Sequence, residues 1–98
     1  MNMQAMLKQA QKMQQDMLKK QEEINNTIYT GKSSIVTVKI NGKREMVDFN
    51  IDAKSLDEDD IDMLKDMITV AYNDASKQID KEQEEKLGSY AKGIPGLF

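Results

Sequence analysis

Met3, Met6, Ala10, Met13, Met17 and Ile24 recur at alternating three- and four-residue steps, with Lys20 the one polar member of the series. That spacing is the a/d seam of a heptad, and it puts the whole set on one side of a helix. Lys8, Lys12 and Lys19 come together on the opposite side, with Gln15 between them. No Gly or Pro interrupts the run, and Gln, Lys, Met, Leu and Ala are good helix formers. The spacing predicts a helix over residues 2–25, about 36 Å long at 1.5 Å per residue. A compact chain of 98 residues has a radius of gyration of about 13 Å, so this helix overhangs its own domain. An overhanging helix with an apolar seam needs a partner, and its lysine side faces outward.

A single domain of this size buries a modest share of its surface, which makes association with a second copy physically attractive. The chain has no Cys and no His. Disulfides and thiolate metal sites are excluded, and the commonest general base and zinc ligand are missing. No apolar stretch approaches the length needed to cross a bilayer, and the N-terminus lacks the pattern of a secretory signal, so a soluble cytoplasmic protein is expected. The net charge of −3 hides a segregation. Residues 1–44 carry eight Lys/Arg against three Asp/Glu, a balance of +5, and residues 45–98 carry six against fourteen, a balance of −8. The segregation suggests a local basic surface on an acidic body, the other reading being solvated helix faces that differ in sign.

Thr27-Ile28-Tyr29-Thr30 is β-branched and aromatic, so the first helix should end near Asn25-Asn26 and a strand should begin. Gly31 to Ser34 reads as a turn. Ile35 to Ile40, then Asn41-Gly42, then a run to Ile51 read as a hairpin. A two-residue turn at Asn41-Gly42 sets Val36 opposite Val47 and Ser34 opposite Phe49, and a four-residue loop keeps the same parity. Val36, Val38 and Ile40 then share one face with Val47, Phe49 and Ile51, while Thr37, Lys39, Asp48 and Asn50 take the other. The acids Asp57 to Asp60 suit a helix N-terminus. Leu64, Ile68, Ala71, Ala75 and Ile79 then mark one helical face, flanked by Ile61, Met67 and Tyr72. Beyond Ile79 the stripe meets Glu82 and Lys86, and Gly88 is expected to end the regularity. The expected fold is α+β: a long helix, a three-stranded antiparallel meander and a second long helix. Residues 1–90 should form one helix–sheet–helix domain and residues 91–98 a flexible C-terminal tail.

Catalytic and metal motifs are weak. Asp48, Asn50 and Asp52 have the spacing of the first EF-hand ligands. Ala53 stands where the loop needs Gly, however, and Asp59 where it needs Glu. The acidic run from Asp57 to Asp62 is accounted for by helix capping. No phosphate loop, serine nucleophile motif or paired-carboxylate signature appears, so neither an enzyme nor a cofactor nor a small-molecule substrate is indicated. The methionine seam reads as packing, with an adaptable peptide groove as the rival. Lys8, Lys12 and Lys19 are offset before Glu22 only by Asp16. The row has two readings: a solvated helix face, the usual fate of such lysines, or, with neutral donors from Gln4, Gln9, Gln11, Gln14, Gln15 and Gln21 around it, a surface suited to phosphate and sugar contacts.

Several stretches together resemble the YbaB/EbfC family of bacterial nucleoid-associated DNA-binding proteins. They are Met6-Leu7-Lys8-Gln9-Ala10-Gln11-Lys12-Met13-Gln14, Thr30-Gly31 before the paired strands, Val38-Lys39-Ile40-Asn41-Gly42, Ile51-Asp52-Ala53-Lys54-Ser55-Leu56, Ala71-Tyr72-Asn73-Asp74-Ala75 and Pro95-Gly96-Leu97-Phe98. The likeness runs in order along essentially the whole chain. It implies a helix–three strands–helix protomer that forms a two-fold homodimer with projecting helical arms and binds DNA with little sequence preference. It also implies a place in the cytoplasm on the nucleoid. Lys8 and Lys12 lie inside the matching first-helix motif, and Lys19 extends the stripe by helix geometry. Tyr72, Asn73 and Asp74 match a motif of the second long helix and read as packing or capping residues. That helix ends in a mixed run, Asp80 to Lys86, so the arm expected to touch phosphate is the first.

The expected partners are therefore double-stranded DNA and a second copy of the chain. Lys8, Lys12 and Lys19 would carry the DNA contacts. Met6, Met13, Met17, Val38, Phe49, Leu64, Ile68 and Tyr72 would carry core and dimer packing. The alternative is a dimeric adaptor that clamps another polypeptide helix-in-groove.

Overall fold

A computed structural model describes residues 2–93, with side chains through residue 88. The order is α1 (Met3–Asn25), β1 (Tyr29–Ser33), β2 (Val36–Ile40), β3 (Met46–Ile51), a single 3-10 turn (Glu58–Asp60) and α2 (Ile61–Gly93). This is the expected helix, antiparallel meander and helix. Asn2 caps α1, its side-chain oxygen accepting from the Ala5 amide at 2.8 Å. The acids before α2 act as caps too: the Asp60 carboxylate accepts from the Asp57 amide at 2.9 Å, satisfying a donor that the helix start leaves unpaired.

The strands lie in the order β1-β2-β3, and α2 crosses the faces of β1 and β2. Val36, Val38 and Ile40 of β2, Tyr29 of β1 and Ile24 of α1 are buried with Ala71, Ala75, Ile79 and Leu87 of α2. Gly31 was expected in a turn but lies inside β1, opposite Val38. The turn falls instead at Ser34-Ile35, with Ser34 at φ 53°. The reason is packing. A Cβ on Gly31 would sit 1.8 Å from the Ala71 carbonyl oxygen and 2.9 Å from the Ala75 nitrogen. Glycine in the strand and two alanines on the helix let the two backbones touch. The outer edge of β1 is also closed by α2: the Gln78 amide donates to the Thr30 carbonyl at 2.8 Å, and the Lys32 amide donates to Asp74 at 3.4 Å.

The β2–β3 connection corrects the expected register. Val36 faces Ile51 and Val38 faces Phe49, with an irregularity at Lys39/Ile40. From Val36 to Lys39 the shift is four residues and preserves the face of each side chain, since the strand period is two; at the irregularity Ile40 comes opposite Met46, a shift of three. A longer loop replaces the two-residue turn because Asn41 organises it from within. Its side-chain oxygen accepts from the amides of Lys43 at 2.9 Å and Glu45 at 3.1 Å. Gly42 packs onto the end of α1, its amide donating to the Asn25 carbonyl at 3.3 Å. A Cβ there would come within 2.1 Å of the Ile24 oxygen. Arg44 takes the left-handed conformation, φ 67°. Its guanidinium donates to Ser76 and pairs with Asp80, while its carbonyl accepts from the Tyr72 hydroxyl at 3.1 Å. One face of α2 thus fastens the hairpin loop.

The molecule is a rod of 70 × 20 × 14 Å with a radius of gyration of 19.2 Å, against about 13 Å for a compact chain of this length. α2 continues through Gly88 to Gly93, five residues past the expected stop. A lone glycine costs a helix only about 1 kcal/mol, and Leu87 beside it is buried in the core cluster. The expected flexible tail at 91–98 therefore begins inside α2, and residues 94–98 lie outside the described residues.

Candidate nucleic-acid interface

Residues 2–16 of α1 are exposed along their whole length. Lys8, Lys12 and Lys19 are exposed within this helix, and none of the three is held by an ion pair or hydrogen bond among the described residues. At 1.5 Å per residue the three ammonium stems span about 16 Å along one side of the helix. Lys20, on the seam, is half-buried and engaged elsewhere. The arm carries flexible cations on a rigid rod, an arrangement that suits repeated phosphates and does not suit a single compact ligand.

The root of the arm is polar. The Tyr29 hydroxyl donates to Glu82, and the Lys86 ammonium sits 2.9 Å from Glu82 and 3.8 Å from Glu23 of α1. Glu82 meets Tyr29, and the later Lys86 meets the earlier Glu23, so α1 and α2 run antiparallel here. Burial, then the Glu82 carboxylate, pushes the Tyr29 hydroxyl up to about 12 from 10.0. The Tyr29 hydroxyl, then Lys86, holds Glu82 below its ordinary 4.5. The raised tyrosine contributes stability that is complete below pH 10 and is lost as pH rises to about 12. The lowered glutamate contributes stability that is present above pH 4.5 and is lost as pH falls through its folded value. Tyr29→Phe is expected to cost about 1–2 kcal/mol at neutral pH, the range for a hydrogen bond to a partly open charged group. It should also flatten the loss of stability between pH 10 and 12. Urea titrations of both chains across that range check it.

The expected packing residues divide into two sets. Val38 is fully buried, and Met17, Leu64, Ile68 and Tyr72 pack half-buried against the core. Met6, Met13 and Phe49 take no part in the protomer's core and remain 54%, 38% and 39% exposed. Phe49 and Ile51 share the helix-bearing face of the sheet with Val38 and Val36, but α2 does not reach over β3. Val47 and Met46 are open beside them, and Ile61 is open at the start of α2. The apolar seam of α1, expected to need a partner, is covered in part by the protomer itself. The second half of α1 packs on its own α2 through Met17 and Ile24, and only the first half is uncovered. Sequence reasoning missed the Arg44 lock, the Asp74 and Gln78 caps on β1 and the burial of Leu87. The lock and the caps carry no local signal, because each depends on a partner 32 to 48 residues away.

Among the described residues no cluster of His, Cys, Asp or Glu could hold a metal ion. Among the same residues no helix is long and apolar enough to cross a membrane. Residues 1–94 match the model of the YbaB/EbfC DNA-binding family. A nucleoid-associated protein of Lactococcus lactis subsp. cremoris is 50% identical over 97% of this chain and 98% of its own length. One from Ligilactobacillus salivarius is 46% identical over 99% and 95%, and one from Chloroflexus aurantiacus is 40% identical over the full length of both. An uncharacterized protein from Helicobacter pylori, known from its crystal structure, superposes with a TM-score of 0.71 at 26% identity over 98% of this chain and 99% of its own. The family match and the names of these relatives indicate a nucleoid-associated DNA-binding protein and not an enzyme: the chain is a member of the YbaB/EbfC DNA-binding family.

Proposed function

We propose that this protein coats double-stranded DNA on the nucleoid, in the cytoplasm, as a homodimer that grips phosphates with little regard to sequence. The observation that carries the reading is the row Lys8, Lys12 and Lys19, exposed and uncommitted on a helix that overhangs its domain. A second copy gives six such cations, and the uncovered face of β3 and the start of α2 is where it would close. Weak base readout is expected from the side chains available. Bidentate contact with guanine is the work of Arg above all, and the chain's single arginine, Arg44, is already engaged with Ser76 and Asp80. Any sequence preference would come from the shape of the duplex.

The test is a salt series. If six lysines each neutralise one phosphate, log affinity falls on log salt with a slope of about −5. Lys8→Gln/Lys12→Gln/Lys19→Gln is expected to bring that slope close to zero while the mass by light scattering stays that of a dimer. An unchanged slope in the triple variant would move the interface off α1.

A further inference from the structure

We propose that the polar face of the sheet is a second DNA contact, so that a duplex seated on α1 continues along the body of the molecule; this rests on the phosphate grip of α1 and extends it. Two rows of side chains cross that face. One is Thr30, Lys39 and Asp48, and the other is Lys32, Thr37 and Asn50. Their strand neighbours Gly31, Val36 and Val38 are buried on the other face, under α2. Lys32 and Lys39 make no ion pair among the described residues. Asp48 lies opposite Lys39, but its carboxylate turns back to accept from the Phe49 amide at 2.9 Å. Ammonium, hydroxyl and amide groups on a flat face suit phosphate and sugar oxygens.

α2 decides where this face points. Its inner side packs on Met17 and Ile24 of α1 and on Val36, Val38 and Ile40 of the sheet. α1 and the sheet therefore form one layer, laid end to end, with the Asn25 carbonyl accepting from the Gly42 amide at their junction. The lysine row lies on the side of α1 opposite its seam, and strand alternation turns Lys32 and Lys39 away from α2. Both sets emerge on the one side of the rod that α2 leaves open. The charge division of the sequence becomes a division between layers: α1, β1 and β2 fall within the basic residues 1–44, and α2 within the acidic residues 45–98.

The two sets also follow one another in line. Lys86 stands beside Glu23 and Gln78 beside Thr30, and the turns of α2 between Lys86 and Gln78 cover about 12 Å. The Thr30–Lys39 row thus comes about 18 Å after Lys19, and Lys32, beside Asp74, about 24 Å after it. From Lys8 to Lys32 the cations extend over about 40 Å, or about 12 base pairs of duplex. Two lysines per chain do not hold DNA alone. The sheet engages a duplex that α1 has already brought close.

The chain has no cysteine, so single cysteines carrying a photoactivated cross-linker report which surfaces touch DNA. The probe is a duplex of about 20 base pairs, about 68 Å long, added to the full-length protein. Thr37→Cys on the sheet face is expected to form protein–DNA adducts, as is Gln15→Cys in the lysine row. Val70→Cys, 54% exposed on the outer side of α2, is expected to form none above background. Lys32→Gln/Lys39→Gln should weaken binding at least about tenfold near 0.15 M salt. Lys77→Gln/Lys81→Gln removes the same charge from the outer side of α2 and should change affinity less than about twofold, since salt screens charges across the rod. A silent Thr37→Cys beside a reactive Gln15→Cys, or equal losses from the two lysine pairs, overturns the sheet contact and leaves the α1 reading standing. Adducts at Thr37→Cys with none at Gln15→Cys would keep the sheet contact and overturn the α1 reading.

Discussion

Gly31→Ala is expected to be the most damaging single methyl group that can be added to this protein. The new Cβ meets the Ala71 oxygen at 1.8 Å, its carbonyl carbon at 2.9 Å and the Ala75 nitrogen at 2.9 Å. All three are backbone atoms of a helix, so no rotamer change relieves the overlap. β1 must lift from α2 and expose Tyr29, Val38 and Ile40, which are buried beneath it. Overpacking a rigid core costs about 1–3 kcal/mol where side chains can yield, and here none yields. A loss of about 4 kcal/mol or more is expected, a large part of the 5–15 kcal/mol that holds a typical domain together. Gly88→Ala is the matched control. Its Cβ would find only the Glu84 side chain at 3.8 Å, inside a helix where alanine outranks glycine by about 1 kcal/mol. The same substitution should therefore have opposite signs at the two sites. Urea unfolding at a fixed protein concentration decides it. A Gly31→Ala chain as stable as the parent would mean that strand and helix do not touch as described.

The second large effect is expected at β3. Val47→Gln/Phe49→Gln alters two side chains already 50% and 39% exposed in the protomer, so a solitary chain should hardly notice. A homodimer closed over this face should come apart. Burying a large apolar side chain is worth about 1.5–3 kcal/mol, and each subunit loses two, so the dimer constant should weaken by at least a thousandfold. Charge is unchanged, which keeps DNA binding interpretable. A chain with three lysines in place of six should bind DNA about a hundredfold more weakly near 0.15 M salt, with the salt slope halved to about −3. Light scattering gives the mass and fluorescence anisotropy the affinity. A variant that remains dimeric would place the contact elsewhere, with the outer seam of α1 the next surface to test.

The parts of the fold written in short-range patterns were legible in the residues. Heptad spacing located α1, alternation located β2 and β3, and the acidic run located the start of α2. Parity survived from Val36 to Lys39 even where register did not, because a four-residue slip in a two-residue period changes no face; it was lost only at the irregularity beyond Lys39. The turn at Gly31 was misplaced because a glycine that permits close backbone packing looks, in sequence, like one that permits a bend. The end of α2 was set too early because Gly88 is tolerated wherever Leu87 still finds a core. The lysine row was legible as geometry, since side chains at positions 8, 12 and 19 need only a helix to align them. The division of the methionine seam into a covered and an open half was not, for it depends on how far α2 runs beside α1.

The two margins of the sheet are finished differently. Along β1, Gln78 and Asp74 occupy backbone groups that would otherwise invite another strand, whereas β3 presents its apolar residues without a covering helix. A sheet closed along β1 and open along β3 offers one margin to another copy, and two copies joined margin to margin through β3 would leave no sheet margin for a third.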